Sequence, residues 1–436
     1  MGRKELSMLK FFLILSVFAF IPKVMAQSLS LEAESDLKEG IAYYDNQKYD
    51  EAINDYNRAI QLDPNYAEAY SSRGNAYKEK GSFDQALSDY NKAIEFSPND
   101  GNSYFNRGYI YLEKDNFDQA IADYTKAIEF YQNTNVTYWM AIAYYNRGLS
   151  YSKKGEYDQA IADYNKAIEL NANPENMSYF SRGWVYGQVR KYDQAISDYK
   201  KAIELNINNP EAFYDIGVLY GMKDDFDQAV DYYNKAIENN PKYFDAYYNR
   251  ALLYEKNKEY DKAIADYTVL IKNNYKLSSV YTQRGICSGS QGNYDLAIFD
   301  LSKALTSDPN NSLAIYTRGG MYYIKGNIQQ AVIDFNKARE IDPSYANRYY
   351  DKYLTIENAQ VNPTAQNSVS GQGIDRKSLV DIFIESEKEQ QEQSYRNKMI
   401  DLQKQQLEIM RNQGNGNNSY NTNCYVNGSN INCTTH

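Results

Sequence analysis

One glycine returns along this chain at a nearly fixed interval. Gly40, Gly74, Gly108, Gly148, Gly183, Gly217, Ala251, Gly285 and Gly319 stand 34, 34, 40, 35, 34, 34, 34 and 34 residues apart. A period of this length constrains the fold strongly, because each copy is one small unit that cannot bury its own apolar face and must stack on its neighbours. Twelve places after the Gly comes Ala52, Ala86, Ala120, Ala160, Ala195, Ala229, Ala263, Ala297 or Ala331. Four further on stands Tyr56, Tyr90, Tyr124, Tyr164, Tyr199, Tyr233, Tyr267, Leu301 or Phe335, then usually another Ala three later. Spacings of 3 and 4 mark one face of a helix. Gly81, Gly155, Gly292 and Gly326 break each of their units into two helical stretches, and Pro64, Pro98, Pro241, Pro309 and Pro343 close units, since Pro cannot continue a helix interior. Each unit therefore reads as two helices joined by a tight turn, with the small residue of the first letting the second approach. A count of 46 Tyr against 2 Trp and 1 His fits a unit copied many times.

These positions resemble the tetratricopeptide repeat. The second unit carries Tyr70, Arg73-Gly74, Tyr77, Ala86 and Tyr90 between Pro64 and Pro98, in the order of that family's signature. Nine units fit, over about residues 31–343. The resemblance implies an all-α fold, a right-handed superhelical solenoid of about nine helix-turn-helix repeats.

The chain departs from the family pattern in two ways. Where the family has Leu before the Gly, this chain has Arg73, Arg107, Arg147, Arg182, Arg250, Arg284 and Arg318, and sixteen residues after each stands Asp89, Asp123, Asp163, Asp198, Asp266, Asp300 or Asp334. Unit six replaces both members together, with Ile216 and Tyr232, and unit one has Glu39 and Asp55. Charges at packed positions need partners, so the couples are expected to pair across the helices of a unit or from one unit to the next; a ladder for a charged ligand is the other reading. The second departure is the interval of 40, which adds six residues around Phe130–Met140 as a longer loop or longer helices. It reads as a tolerated surface insertion, with a binding feature or kink as the alternative.

In the resembled family the first helices line the concave face of the superhelix and hold peptides or partner helices there. The inward positions that match carry Phe105, Tyr109, Tyr145, Leu149, Phe180, Trp184, Tyr214, Val218, Tyr248 and Leu252. Large aromatics are common anchors of protein interfaces, but repeats must also fill the seam between first helices, and both readings stay open here. The Lys residues with which one branch of the family grips a C-terminal carboxylate are missing from these positions.

Outside the array, residues 1–26 read as a secretory signal: a basic start at Arg3, Lys4 and Lys10, an apolar run Phe11–Ile21, and a cut after Ala26. That run is too short to span a membrane comfortably. The net charge of −10 becomes −13 after the cut, which disfavours nucleic acid and anionic membranes as partners. Residues 344–358 read as a capping helix and 359–373 as a flexible linker. Residues 374–413 read as a long charged helix whose Tyr395, Met399, Leu402 and Ile409 suggest a homo-oligomer through 395–409, and 414–436 as an Asn-rich tail. In that tail, Asn427-Gly428 signals a hairpin turn between Cys424 and Cys433, which read as a local disulfide. Cys287 reads as a small buried residue.

Nothing points to catalysis. The one His, His436, is the last residue, and there is no phosphate loop or dinucleotide fingerprint. Asp50, Asp84, Asp118, Asp158, Asp193, Asp227, Asp261 and Asp295 recur at second-helix starts, where the helix dipole favours them. The expectation is a non-enzymatic protein-binding scaffold without cofactor or metal, periplasmic or secreted. An oligomeric envelope protein and an accessory subunit positioning a separate enzyme are the alternatives.

Overall fold

The computed structural model describes residues 30–170, 175–205 and 209–343, with the backbone of 422–427 and 430–435. The expected signal segment, capping helix, linker and 374–413 helix lie outside the described residues.

The expected helices are present, eighteen among the described residues, and follow one another along the sequence as nine successive couples. They are α1 (30–45) with α2 (Tyr49–Leu62), α3 (Ala67–Glu79) with α4 (Phe83–Phe96), and α5 (Gly101–Glu113) with α6 (Phe117–Thr134). Next come α7 (Thr137–Lys154) with α8 (Tyr157–Glu169), α9 (Glu175–Gln188) with α10 (Tyr192–Leu205), and α11 (Pro210–Met222) with α12 (Phe226–Asn239). The last three are α13 (Phe244–Lys256) with α14 (Tyr260–Lys272), α15 (Leu277–Ser290) with α16 (Tyr294–Ser307), and α17 (Ser312–Ile324) with α18 (Ile328–Ile341). Helices α1–α9 form one compact unit and α10–α18 another. Within each, consecutive helices pack on one another.

The repeated Gly acts as the sequence suggests. A methyl group at Gly40 would lie 2.6 Å from the Tyr56 ring and one at Gly74 2.8 Å from the Tyr90 ring, so the first helix has to be bare where the second lays its aromatic across it. The small residues on either side, Ala52 and Ala59 or Ala86 and Ala93, are fully buried. Turns inside the pairs use the left-handed backbone: Gly155 has φ 84°, and Asp115, at the equivalent place in the preceding repeat, takes φ 56°.

The expanded interval is not a loop. Both α6 and α7 are 18 residues long where α2–α5 and α8–α18 have 13 or 14, and Asn135 with φ 57° makes the turn between them. The added turns pack inward. Tyr131 is buried and its hydroxyl donates to Asn102 Oδ1 at 2.8 Å. Trp139 sets its ring edge on Phe105, centroids 5.5 Å apart.

In the tail, residues Thr422–Asn427 (β1) and Asn430–Thr435 (β2) pair antiparallel as the Asn-Gly signal implied, and the register sets Cys424 directly across from Cys433.

Candidate partner-binding face

Two sets of residues recur at equivalent places, and their surroundings separate them into structure and surface. The first is the Arg–Asp couple. Arg73 donates from Nε and Nη2 to the two carboxylate oxygens of Asp89 at 2.8 and 2.7 Å, a bidentate pair between α3 and α4. Its Nη1 reaches back to Asn57 Oδ1 on α2 at 2.5 Å. The same pattern joins Arg107 to Asp123 and Asn91, Arg147 to Asp163 and Thr125, Arg250 to Asp266 and Asn234, Arg284 to Asp300 and Thr268, and Arg318 to Asp334 and Ser302. Each guanidinium thus ties both helices of its own repeat to the second helix of the repeat before. Arg182 bonds back to Asn165 in the same manner, and its expected partner Asp198 belongs to the other compact unit.

Tyrosines cover the guanidinium faces. Arg147 lies 5.3 Å from the Tyr144 centroid and 6.0 Å from that of Tyr151, and Arg107 and Arg250 are flanked likewise. Burial works to lower Arg147, but its hydrogen bond to Asp163 and that carboxylate's charge outweigh it and hold the guanidinium above its ordinary range. Burial raises the Asp163 carboxyl against the pull of Arg147. With donors and acceptors satisfied internally, the couples are structural staples and offer no ladder of free charge.

Repeat six shows the same three positions filled by other chemistry. Ile216 is buried where the Arg would be, Tyr232 replaces the Asp, and Lys200 stands where Asn or Thr does elsewhere. Lys200 lies 5.8 Å from both the Tyr220 and Tyr232 centroids, and those rings stack on each other at 5.6 Å. A cation–π clasp stands in for the ion pair.

A second, exposed ladder was not foreseen. The first-turn aspartates meet a Lys at the end of the next first helix: Asp50 with Lys80, Asp84 with Lys114, Asp118 with Lys154, Asp193 with Lys223 and Asp295 with Lys325. Its signal in the sequence was an Asp–Lys spacing of 30 in most copies. Being exposed, such pairs contribute little to stability.

The first-helix positions divide. Phe105, Phe180, Trp184, Tyr214, Val218 and Tyr248 are buried and fill the seam between helices. Phe105 packs on Tyr124 and Tyr131, and Trp184 on Tyr157. Tyr214 accepts a hydrogen bond from Asn249 Nδ2 at 2.6 Å, and its ring meets Tyr233 and Tyr243. Burial lifts the Tyr248 hydroxyl to about 12 although Lys276 lies above its ring. Tyr109, Tyr145, Leu149 and Leu252 are only half-buried and keep one side open.

On α7 the half-buried Trp139, Ile142, Tyr145 and Leu149 follow one another at spacings of 3, 3 and 4, which puts them on one side of the helix. Trp139, Ile142 and Leu149 pack from outside on the cluster around Phe105, Leu112 and Tyr124. Tyr109 on α5 packs on the neighbouring cluster of Ala86, Tyr90 and Ile110; Lys78 sits 5.7 Å over its ring, and burial with Glu113 and Glu79 nearby raises its hydroxyl to about 12. Trp139 belongs to the added part of the helix, so a 34-residue template could not include it, whereas Ile142 stands six places before Gly148, where sister copies carry Glu34, Glu68 and Glu211. The insertion extends the apolar strip by a turn. Among the described residues, no cluster of His, Cys, Asp and Glu could hold a metal ion, and no helix is long and apolar enough to cross a membrane.

Comparison with known proteins follows the same residues. Family models described as "TPR repeat" match residues 40–81, 74–115 and 190–224, and models described as "Tetratricopeptide repeat" match 101–133, 141–174, 210–243, 232–265 and 289–346, together more than half of the chain. Among solved structures, MamA is 30% identical, covering 39% of this chain and 95% of that one, with a TM-score of 0.36. YrrB, described as a TPR protein with an unusual peptide-binding site, is 24% identical, covering 44% and 95%, with a TM-score of 0.39. The C-terminal part of a TPR repeat-containing protein from Cytophaga hutchinsonii is 22% identical, covering 54% and 94%, with a TM-score of 0.47. No curated protein matches.

Proposed function

Because the chain belongs to the tetratricopeptide repeat family, whose helix pairs serve as protein-interaction scaffolds, we propose that it is an exported, non-catalytic scaffold that holds a partner protein segment on its first-helix face. The supporting observation is the half-buried strip Trp139, Ile142, Tyr145 and Leu149 with Tyr109 beside it. Trp139, Ile142 and Leu149 rest on a packed aromatic cluster and are only half-buried, which is how interface anchors are held ready without a large ordering cost. Phe105, the buried member of the row in the same cluster, positions that surface. Export rests on residues 1–26 of the sequence.

Photo-crosslinking in cells tests the binding face. A photoreactive residue at Tyr109 or Leu149 is expected to capture a discrete partner, whereas the same residue at Gln159, exposed on α8, captures none. Equal capture at all three sites, or capture at none, sinks the assignment. For export, the N-terminus of the protein recovered outside the cytoplasm is expected to be Gln27.

A further inference from the structure

The nine copies provide an internal control for every position. On the second helices, the residue before the repeated Ala is Glu51, Gln85, Gln119, Gln159, Gln194, Gln228, Lys262 and Gln330 in eight copies, but Leu296 in the ninth. Two places after that Ala stand Asn54, Ser88, Ala122, Ala162, Ser197, Asp231 and Ala265, and then Phe299 and Ile333 in the last two copies. The substituted side chains are not core. Leu296, Phe299 and Ile333 are 59%, 55% and 57% exposed. Leu296 and Phe299 stand three residues apart on α16 and so share one side of that helix, and Arg318 links α16 to α18, which carries Ile333, by donating to Ser302 and to Asp334. Large apolar side chains put at water-facing positions, where seven sister copies keep polar or small ones, mark a surface that something covers.

We propose that the occupant is residues 378–386 of the same chain, Ser-Leu-Val-Asp-Ile-Phe-Ile-Glu-Ser. Three facts support it. The apolar positions appear only in the two repeats nearest the C-terminal extension. That extension carries Leu379, Ile382 and Phe383, the last two three and four residues after Leu379, with Asp381 among them and Glu385 just beyond, and exposed Lys303 and Lys337 on α16 and α18 to meet those acids. The connection is also long enough: Leu379 lies 36 residues after Pro343, a stretch that can extend to at most about 120 Å. Such a tether supplies an effective concentration in the millimolar range, so a contact too weak to hold a free peptide is occupied here. The extension would thereby be laid against the outer side of α16 and α18, leaving the first-helix face free.

Hydrogen exchange on the full chain tests this. The reference variant is Leu296→Gln with Phe299→Ala and Ile333→Ala, each a residue that sister copies carry at that place. Peptides covering 378–386 are expected to exchange at least about tenfold faster in that variant, with α16–α18 unchanged. Phe383→Asp, which leaves the repeats intact, is expected to give the same acceleration and to raise hydroxyl-radical labelling of Phe299. Equal exchange of 378–386 in wild type and in both variants overturns the proposal. Protection that disappears on twentyfold dilution, together with a dimer mass by light scattering, also overturns it by making a second copy the occupant.

Discussion

Arg147 meets both carboxylate oxygens of Asp163 while its third nitrogen reaches Thr125 on the preceding second helix, so one side chain spans three helices. The pair is largely shielded, with Arg147 17% and Asp163 7% exposed. Removing either partner alone leaves the other charge without its counterpart. Arg147→Ala and Asp163→Ala are each expected to cost about 2–3 kcal/mol, somewhat below a fully buried pair. The double variant is expected to lose at least about 1 kcal/mol less than the sum, measured by urea unfolding. Strict additivity refutes the staple.

Repeat six allows the converse experiment. Ile216→Arg alone puts a charge into a buried apolar site beside Lys200 and is expected to cost about 3–5 kcal/mol. Adding Tyr232→Asp and Lys200→Asn recreates the set seen around Arg250. The triple variant is expected to recover most of that loss in thermal unfolding. If it unfolds as readily as the single variant, the three positions do not form an interchangeable set.

Backbone strain offers a gain. Lys258 holds φ 62° in the turn after α13, where its amide still bonds Glu255 O at 2.9 Å. Four sister turns use Gly in this conformation. Lys258→Gly is expected to raise stability by about 0.5–1 kcal/mol, because the left-handed region costs a side chain more than Gly loses in unfolded-state freedom. A lower melting temperature for this variant contradicts the reading.

Cysteine accessibility separates the three thiols. Cys287 is fully buried, and burial pushes its thiol up, with the Glu255 carboxylate beside it adding to the effect. In exported protein, a thiol reagent is expected to label nothing while the chain is folded. It should label one site after unfolding without reductant and three with it, since Cys424 and Cys433 face each other across the hairpin. Three labels without reductant would show the tail pair to be free.

Much of this architecture was legible because repetition averages out local ambiguity. One helix pair with Tyr90 on Gly74 is weak evidence, but nine in phase fix both the period and the face that packs. The Arg–Asp couple was readable for the same reason: Ile216 and Tyr232 change together, as touching residues do. What it joined was not readable, since the link back to Asn57 or Thr125 runs between repeats and uses several residue types. The inward row was harder. Spacing says that Trp184 and Leu149 lie on equivalent sides of their helices; it does not say that Trp184 is closed over and Leu149 left half open, which depends on neighbours from three helices. Trp139 escaped for a simpler reason, because a non-repeating insertion has no sister copy to be compared with; Ile142 stands where sister copies carry Glu34, Glu68 and Glu211, which give no sign of an inward place.

The stapled arginines also bear on how the array comes apart. A repeat held only by apolar contact can peel away and leave its neighbour intact. Here, withdrawing one repeat strands an Asn, Thr or Ser acceptor on the next, so damage in one copy loosens the copy beside it and opening spreads as a zipper does. Repeat six interrupts that chain with a clasp of another kind, in which Lys200 lies over two stacked rings and donates to the Tyr220 hydroxyl at 3.4 Å, with no Asn, Thr or Ser acceptor to strand. It is the natural firebreak, the joint at which a tear begun at one end of α10–α18 runs out.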